Sequence, residues 1–233
     1  MDKEYINDFD ISIISDPHVL DESLIGNTES LKKELKIERK LVVESESLFK
    51  RALDLVDEAK CEFLLISGDI SKEGELVSHK KVAKLLRDWQ AKDPIRKIFL
   101  IPGNHDINSR RSYDYRIDQS TRSTKPIDFF DTYDFIYKDK SILEFYKDSD
   151  IFKSYLSEVN KKYLREKDYS YYANGYFSYV ARVKKKHDYD NGLTIIMIDS
   201  SIYSADREQN HRDGVNNVIG SVSKEQLRWV CDK

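Results

Sequence analysis

The sequence predicts an α/β protein built on a parallel sheet, and three observations carry that prediction. Four short apolar runs, at 9–14, 63–66, 98–101 and 194–198, are rich in Ile, Leu or Phe and read as buried strands. Stretches with helical spacing separate the first three runs. All four runs end in residues capable of chemistry: Asp16-Pro17-His18, Gly68-Asp69, Gly103-Asn104-His105-Asp106 and Asp199-Ser200-Ser201. The carboxyl ends of parallel strands face the usual ligand crevice, so these residues are expected to converge.

Between the first two strands, Leu48, Ala52, Leu55 and Ala59 recur at the spacing of one helix face, which predicts the buried face. Leu76, Val82, Ala83, Leu86 and Trp89 mark a second helix before the third strand. From Arg110 to about Tyr172 the composition shifts to Tyr, Lys and Asp, with fourteen of the 15 tyrosines lying from Tyr113 onward. Phe129, Tyr133, Ile136 and Tyr137 predict one helix there. Ile142, Phe145, Tyr146, Phe152, Tyr155, Leu156, Val159 and Leu164 predict a further helical stretch. The region at about 110–172 reads as a Tyr-rich helical insert or lid, and such an aromatic stripe fits plain core packing equally well. Tyr176 to Val183 alternates as a strand, and Asn191-Gly192 predicts a hairpin turn into the last apolar run, so a second sheet is expected. Ser223, with Gln226 three residues on, forms a capping box that opens a helix carrying Leu227, Trp229 and Val230.

A chain of 233 residues suits one large α/β domain, and neither repeat nor linker divides it. The formal net charge of -3 gives no field that would draw the molecule onto DNA or an anionic membrane. Lys184, Lys185 and Lys186, followed by His187, read as a solvated hairpin tip, with a phosphate-binding patch as the alternative. Cys61 and Cys231 do not make a disulfide framework. No secretory signal opens these residues and no apolar run approaches membrane-spanning length, so the expected compartment is the cytoplasm.

Asp16 and His18 flank Pro17 at a strand end, where an extended backbone would point both side chains to one side and let them grip one cation. The same triplet fits a capping Asp beside an incidental His. Asp69 follows Gly68, which permits close backbone approach, and its two oxygens could bridge two cations or simply cap the next helix. Gly103-Asn104-His105-Asp106 is the most specific block, since such a match arises by chance in roughly one chain in several hundred. Pro102 and Gly103 give the turn, Asn104 offers an amide oxygen to a metal, and His105 places a titratable imidazole beside it. An Asx-type turn with a solvent-facing His is the alternative for that block taken alone.

Together and in this order, Asp16-x-His18, Gly68-Asp69 and Gly103-Asn104-His105-Asp106 resemble the first three motifs of the calcineurin-like metallophosphoesterases. The resemblance implies an α/β fold of two mixed β-sheets packed as a sandwich flanked by helices, with a metal pair above the strand ends. It implies Asp16 and His18 as ligands of the first metal, Asp69 as the bridging ligand and Asn104 as a ligand of the second. His105 would be the proton donor or transition-state hydrogen-bonder, with Asp106 orienting it. Carboxylate and amide oxygens mixed with imidazole suit Mn, Fe or Zn in divalent or trivalent form. Two such ions about 3.5–4 Å apart would hold a bridging hydroxide for in-line attack on phosphorus.

The family pattern continues with a His on the strand after the Ser223 helix and then a Gly-His-x-His block, and the 233 residues end before both. The expectation is the front part of a longer chain, with a natural degenerate domain as the competing reading. His79 falls in a helix and reads as surface or packing. His211, near Arg207 and Arg212 in a polar loop, is a candidate phosphate contact. The run Gly68-Asp69-Ile70-Ser71-Lys72-Glu73-Gly74 resembles the cyclic-nucleotide phosphodiesterase branch more than the nuclease branch, and no basic track points to nucleic acid. The expected function is hydrolysis of a small phosphodiester, a cyclic nucleotide among the candidates. The alternatives are a phosphomonoesterase or nuclease, and a non-catalytic phosphoester-binding domain of a larger protein.

Overall fold

A computed structural model describes residues 9–146, 177–184, 192–201 and 222–233. Strands β1 (Ile11–Ile14), β2 (Phe63–Ile66) and β3 (Lys97–Leu100) form a parallel sheet in the order β1-β2-β3. Ile14 aligns with Ile66 and Ile66 with Leu100, so all three strands finish at one level. Helices α1 (Glu29–Ile37) and α2 (Ser45–Glu58) connect β1 to β2, and α3 (Leu76–Gln90) connects β2 to β3. The expected alternation is the observed one, and it sets the three motif-bearing strand ends side by side.

Two details of packing differ from the sequence reading. β2 and β3 are largely buried, whereas β1 leaves Ile11 39% and Ile13 69% exposed. Among the described residues β1 pairs only with β2, so it is an edge strand with one open face. On α2 the core face is Phe49, Leu53 and Val56, while Leu48 and Leu55 are exposed. That helix carries apolar residues on two adjacent faces, and the phenylalanine-bearing face takes the core. On α3 the expected Leu76, Val82, Ala83, Leu86 and Trp89 are all buried, together with His79.

The region after Arg110 mixes element types. A short hairpin of β4 (Tyr113–Asp114) and β5 (Gln119–Ser120) precedes α4 (Pro126–Thr132) and α5 (Asp134–Tyr137). Pro126 opens α4 where its missing N–H costs nothing. Phe129, Tyr133, Ile136 and Tyr137 are buried, and the Phe129 ring lies 4.8 Å from that of Tyr133 and 5.1 Å from that of Phe177. These four residues are core rather than lid. Residues Ile142–Phe145 form strand β6 where helical spacing predicted helix, because their backbone pairs with β7 (Tyr179–Val183). β7 pairs in turn with β8 (Leu193–Met197), giving an antiparallel sheet in the order β6-β7-β8. Leu64, Ile66 and Leu100 of the first sheet share one hydrophobic core with Tyr179, Ala181 and Met197 of the second.

Helix α6 (Lys224–Cys231) begins at Ser223, whose hydroxyl accepts from the Gln226 amide at 3.0 Å. The Gln226 side chain does not complete the expected box. It donates instead to Ser178 Oγ and the Asp199 carbonyl, both at 2.8 Å, and so ties α6 to the second sheet. Phe152, Tyr155, Leu156, Val159, Leu164, Lys185, Lys186, His187, Asn191, Arg207, His211 and Arg212 lie outside the described residues. Among the described residues no helix is long and apolar enough to cross a membrane.

Candidate metal centre

Parallel pairing continues beyond the ends of β1 and β2. The Asp16, His18 and Val19 amides donate to the carbonyls of Gly68, Asp69 and Ile70 at 3.3, 2.9 and 2.8 Å. The two loops therefore run on together and bring Asp16, His18 and Asp69 to one place. All three adopt positive φ, at 53, 43 and 49°, which costs a non-glycine residue of order 1 kcal/mol or more. The extended Asp16-to-His18 geometry expected from sequence is thus replaced by left-handed turns, and the side chains still meet, Asp16 Oδ1 lying 3.9 Å from His18 Nε2. Gly68, at φ +108°, packs so tightly that a Cβ there would sit 2.6 Å from the Gly103 nitrogen. A Cβ on Gly103 would collide with the amide and carboxylate of Asp69.

Asp69 Oδ1 accepts from the His105 amide at 2.9 Å, and Oδ2 stands 3.7 Å from His18 Nε2. The rings of His18 and His105 are perpendicular with centroids 4.8 Å apart. His18, Asp69 and His105 each present a ligand atom within 4.8 Å of the others. Asp16 reaches in from an exposed rim, where the Ser15 hydroxyl donates to it, and Asn104 lies half-buried in the turn that carries His105. Metal bonds of about 2.0–2.2 Å place neighbouring ligand atoms about 3 Å apart, so His18 and Asp69, at 3.7 Å, stand near the spacing of two ligands of one cation. Burial, then the charge of Asp106, pushes the Asp69 carboxyl up. Burial, then the Lys40 ammonium, pushes the His18 imidazole down. A neutral imidazole beside a buried carboxylate whose ionised form burial disfavours fits a divalent cation.

Asp106 does not orient His105. Its fully buried carboxylate accepts from the amides of Ile70, Ser71 and Gly103 at 3.0, 2.8 and 2.7 Å and from the Ser71 hydroxyl at 3.1 Å. It fastens the loop after β2 to the loop after β3, a task that leaves no lone pair aimed at the imidazole. The partners of His105 Nδ1 are the Lys72 carbonyl at 3.1 Å and Glu73 Oε1 at 3.3 Å. Glu73 is 5% exposed, and its Oε2 accepts from the Ser109 hydroxyl at 2.8 Å. Beneath this layer His79 Nε2 contacts Ser71 Oγ and the Asp106 carbonyl, both at 3.0 Å, so His79 is a packing residue with no surface role.

The fourth strand end makes a different contribution. The buried Asp199 carboxylate accepts from the amides of Phe177 and Ser201 at 3.2 and 3.0 Å. Ser201 Oγ donates to the Pro102 carbonyl at 3.2 Å. Asp199 thus shapes the chain that supports the Gly103 turn.

Two charged residues that sequence reasoning passed over stand at the centre. Glu73 lies in the quoted run from Gly68 to Gly74 but carries no spacing that separates it from an ordinary loop carboxylate. Lys40, in the polar stretch after α1, places Nζ 3.2 Å from His18 Nδ1.

The family model for calcineurin-like phosphoesterases matches residues 9–207, a span that includes every one of these groups. No curated protein matches the chain. With the model covering most of its length and the Asp-His, Asp and Asn-His-Asp blocks converging at three adjacent strand ends, the chain belongs to the calcineurin-like phosphoesterase family, whose members are metal-dependent hydrolases of phosphoester bonds.

Proposed function

We propose that the protein hydrolyses a small phosphodiester, with His105 as proton donor to the leaving oxygen. The observation that carries this reading is the placement of His105 between Glu73 and the His18-Asp69 pair. His18 and Asp69, with Asp16 at the rim and Asn104 in the adjoining turn, would hold the metal ions. Bound there, such ions supply stabilisation of phosphoryl charge and a means of activating water.

The chain's own residues do the rest. Glu73 and the Lys72 carbonyl occupy the Nδ1 side of His105 and leave Nε2 for the site. Burial works to lower the His105 pKa, but the hydrogen bond and charge of Glu73, with the charge of Asp69, outweigh it and hold it above its ordinary value. A protonated imidazole cannot ligate a metal but can deliver a proton to an alkoxide that leaves poorly on its own. The Asp106 hub keeps His105 and Asp69 in register, because both flank loops that it fastens.

The preference for a diester rests on the run from Gly68 to Gly74, which resembles the cyclic-nucleotide phosphodiesterase branch and keeps a cyclic nucleotide among the candidate substrates. Gly74, at φ +72°, lies where a Cβ would be 3.1 Å from the carbonyls of both His105 and Asp106, so the loop tucks under the catalytic turn. Hydrolysis of bis-p-nitrophenyl phosphate should exceed that of p-nitrophenyl phosphate with Mn present and vanish in Asp69→Ala. Faster monoester hydrolysis would make it a phosphomonoesterase, and metal and ester binding without turnover would make it a binding domain.

A further inference from the structure

We propose that Lys40 is a substrate-binding residue whose ammonium, once a cation occupies the site, contacts a non-bridging oxygen of the phosphoryl group. This deepens the phosphoesterase reading above and rests on it. The residues 22–44 make a long excursion between β1 and α2, and a partly buried ion pair clamps that excursion onto the metal-site loop. Lys72, three residues after Asp69 and 3% exposed, places Nζ 2.6 Å from Glu34 Oε1 on α1 and 3.2 Å from the Tyr115 hydroxyl.

Just past α1, Glu38 Oε1 accepts from the amides of Arg39 and Lys40 at 2.8 and 3.2 Å. The Val42 amide then donates to the Lys40 carbonyl at 2.9 Å, with Val42 itself 1% exposed. The backbone at Lys40 is therefore held at both sides, and its half-buried side chain reaches into the centre.

The chemistry of His18 says what Lys40 is for. A neutral imidazole has one acceptor nitrogen and one N–H. Nε2 of His18 faces Asp16 and Asp69, at 3.9 and 3.7 Å, and is the atom available to a cation. When Nε2 ligates, Nδ1 must carry the hydrogen, and it can no longer accept from an ammonium that now lies 3.2 Å away. Cation binding at Nε2 would thus free the Lys40 ammonium from this ring contact. Among the described residues Lys40 forms no ion pair within 4.0 Å, and the nearby Glu38 carboxylate, which feels its charge, already accepts from two backbone amides. A phosphoryl oxygen entering beside the cation is an acceptor suited to that ammonium, and lysine serves such an oxygen as a mobile point charge. The like-charge influence of Lys40 on both His18 and His105 agrees with an ammonium facing the centre rather than bulk water.

The test is calorimetric titration of inorganic phosphate into the full chain loaded with Mn, with metal content measured on the same samples. Lys40→Met should weaken phosphate binding about tenfold, the loss of one charge-assisted hydrogen bond, with metal content unchanged. Lys40→Arg should stay within about threefold of the parent. An unchanged affinity in Lys40→Met overturns the assignment, as does a loaded parent chain that binds no phosphate. Loss of metal from Lys40→Met would overturn it too, by making Lys40 a support for His18 instead. Should the parent bind phosphate in a Lys40-dependent way yet hydrolyse neither nitrophenyl ester, the catalytic reading falls and the Lys40 assignment stands.

Discussion

Glu73 Oε1 lies 3.3 Å from His105 Nδ1, and this contact decides which nitrogen of His105 faces the metal centre. Both groups are mostly buried, and burial disfavours charge on each. The pairing wins for both: burial pushes the Glu73 carboxyl up, but the hydrogen bond and charge of His105, with the Ser109 hydroxyl, hold it below the usual range. The result is a buried carboxylate-histidine pair in which each partner favours the charged form of the other, formed between the loops after β2 and β3, while Asp106 binds backbone amides.

Replacing Glu73 by Gln keeps the shape of the contact and removes its charge. Because the folded His105 pKa is raised, the stabilisation of its charged form is complete below about pH 6.5 and fades as pH climbs through the folded value. Without Glu73 that value falls, so the alkaline limb of the kcat/KM profile for diphenyl phosphate should move to lower pH. A limb that stays in place would assign the proton to another group.

His105→Gln separates ligand from acid. As a proton donor, His105 should be dispensable for metal content and worth about 10²–10⁴-fold in kcat for diphenyl phosphate, whose phenolate leaves poorly. The loss should shrink with bis-p-nitrophenyl phosphate, since the electron-poor nitrophenolate leaves with less help. Metal lost on substitution, measured by elemental analysis after dialysis, would make His105 a ligand instead.

The parts of the site legible in sequence are those carried by strand ends. A parallel sheet sends β1, β2 and β3 to one level, so Asp16, His18, Asp69 and His105 could be placed together from the apolar runs alone. Glu73 and Lys40 were not legible, because each enters through tertiary contacts made across loops. Nothing local distinguishes Lys40 from the solvated charges around it until the Lys72-Glu34 ion pair fixes α1. The same limit applies to α2: two apolar faces satisfy one helical period, and only the sheet beneath selects Phe49 over Leu48. At β6 the pairing with β7 overrode a helical spacing that was itself real.

Gly103→Ala tests how closely the two motif loops must approach. The added methyl would meet the Asp69 amide and carboxylate, so the loops must part or Asp69 must rotate. Metal affinity should fall about 10–100-fold, the usual cost of disturbing what orients a ligand, and the melting temperature of the metal-free chain should fall as well, because the methyl meets the Asp69 backbone and not only its side chain. Competitive titration with a chelating dye reads this directly, and an unaltered affinity would mean that Asp69 is not a ligand.

Glu75 offers a test of the scaffold behind the site. It is fully buried, its Oε2 accepts from the Glu73 amide at 3.0 Å, and among the described residues its Oε1 meets no hydrogen-bond partner. Burial pushes its carboxyl up to about 7 from 4.5. An acid raised in the folded state keeps its proton there longer than in the unfolded chain. Its contribution is therefore complete below about pH 4.5 and is lost as pH rises through 7, at about 1.4 kcal/mol per unit and about 3 kcal/mol in all. Glu75→Gln has no charge to bury at any pH. Its amide nitrogen adds the same cost at pH 5 and pH 8, so the difference between the two conditions isolates the carboxylate. Urea unfolding should show the variant gaining about 2–3 kcal/mol on the parent between pH 5 and pH 8. His79, whose pKa burial lowers to about 3, is common to both proteins and cancels. A gap that does not change with pH would place the Glu75 carboxyl in contact with water or a cation.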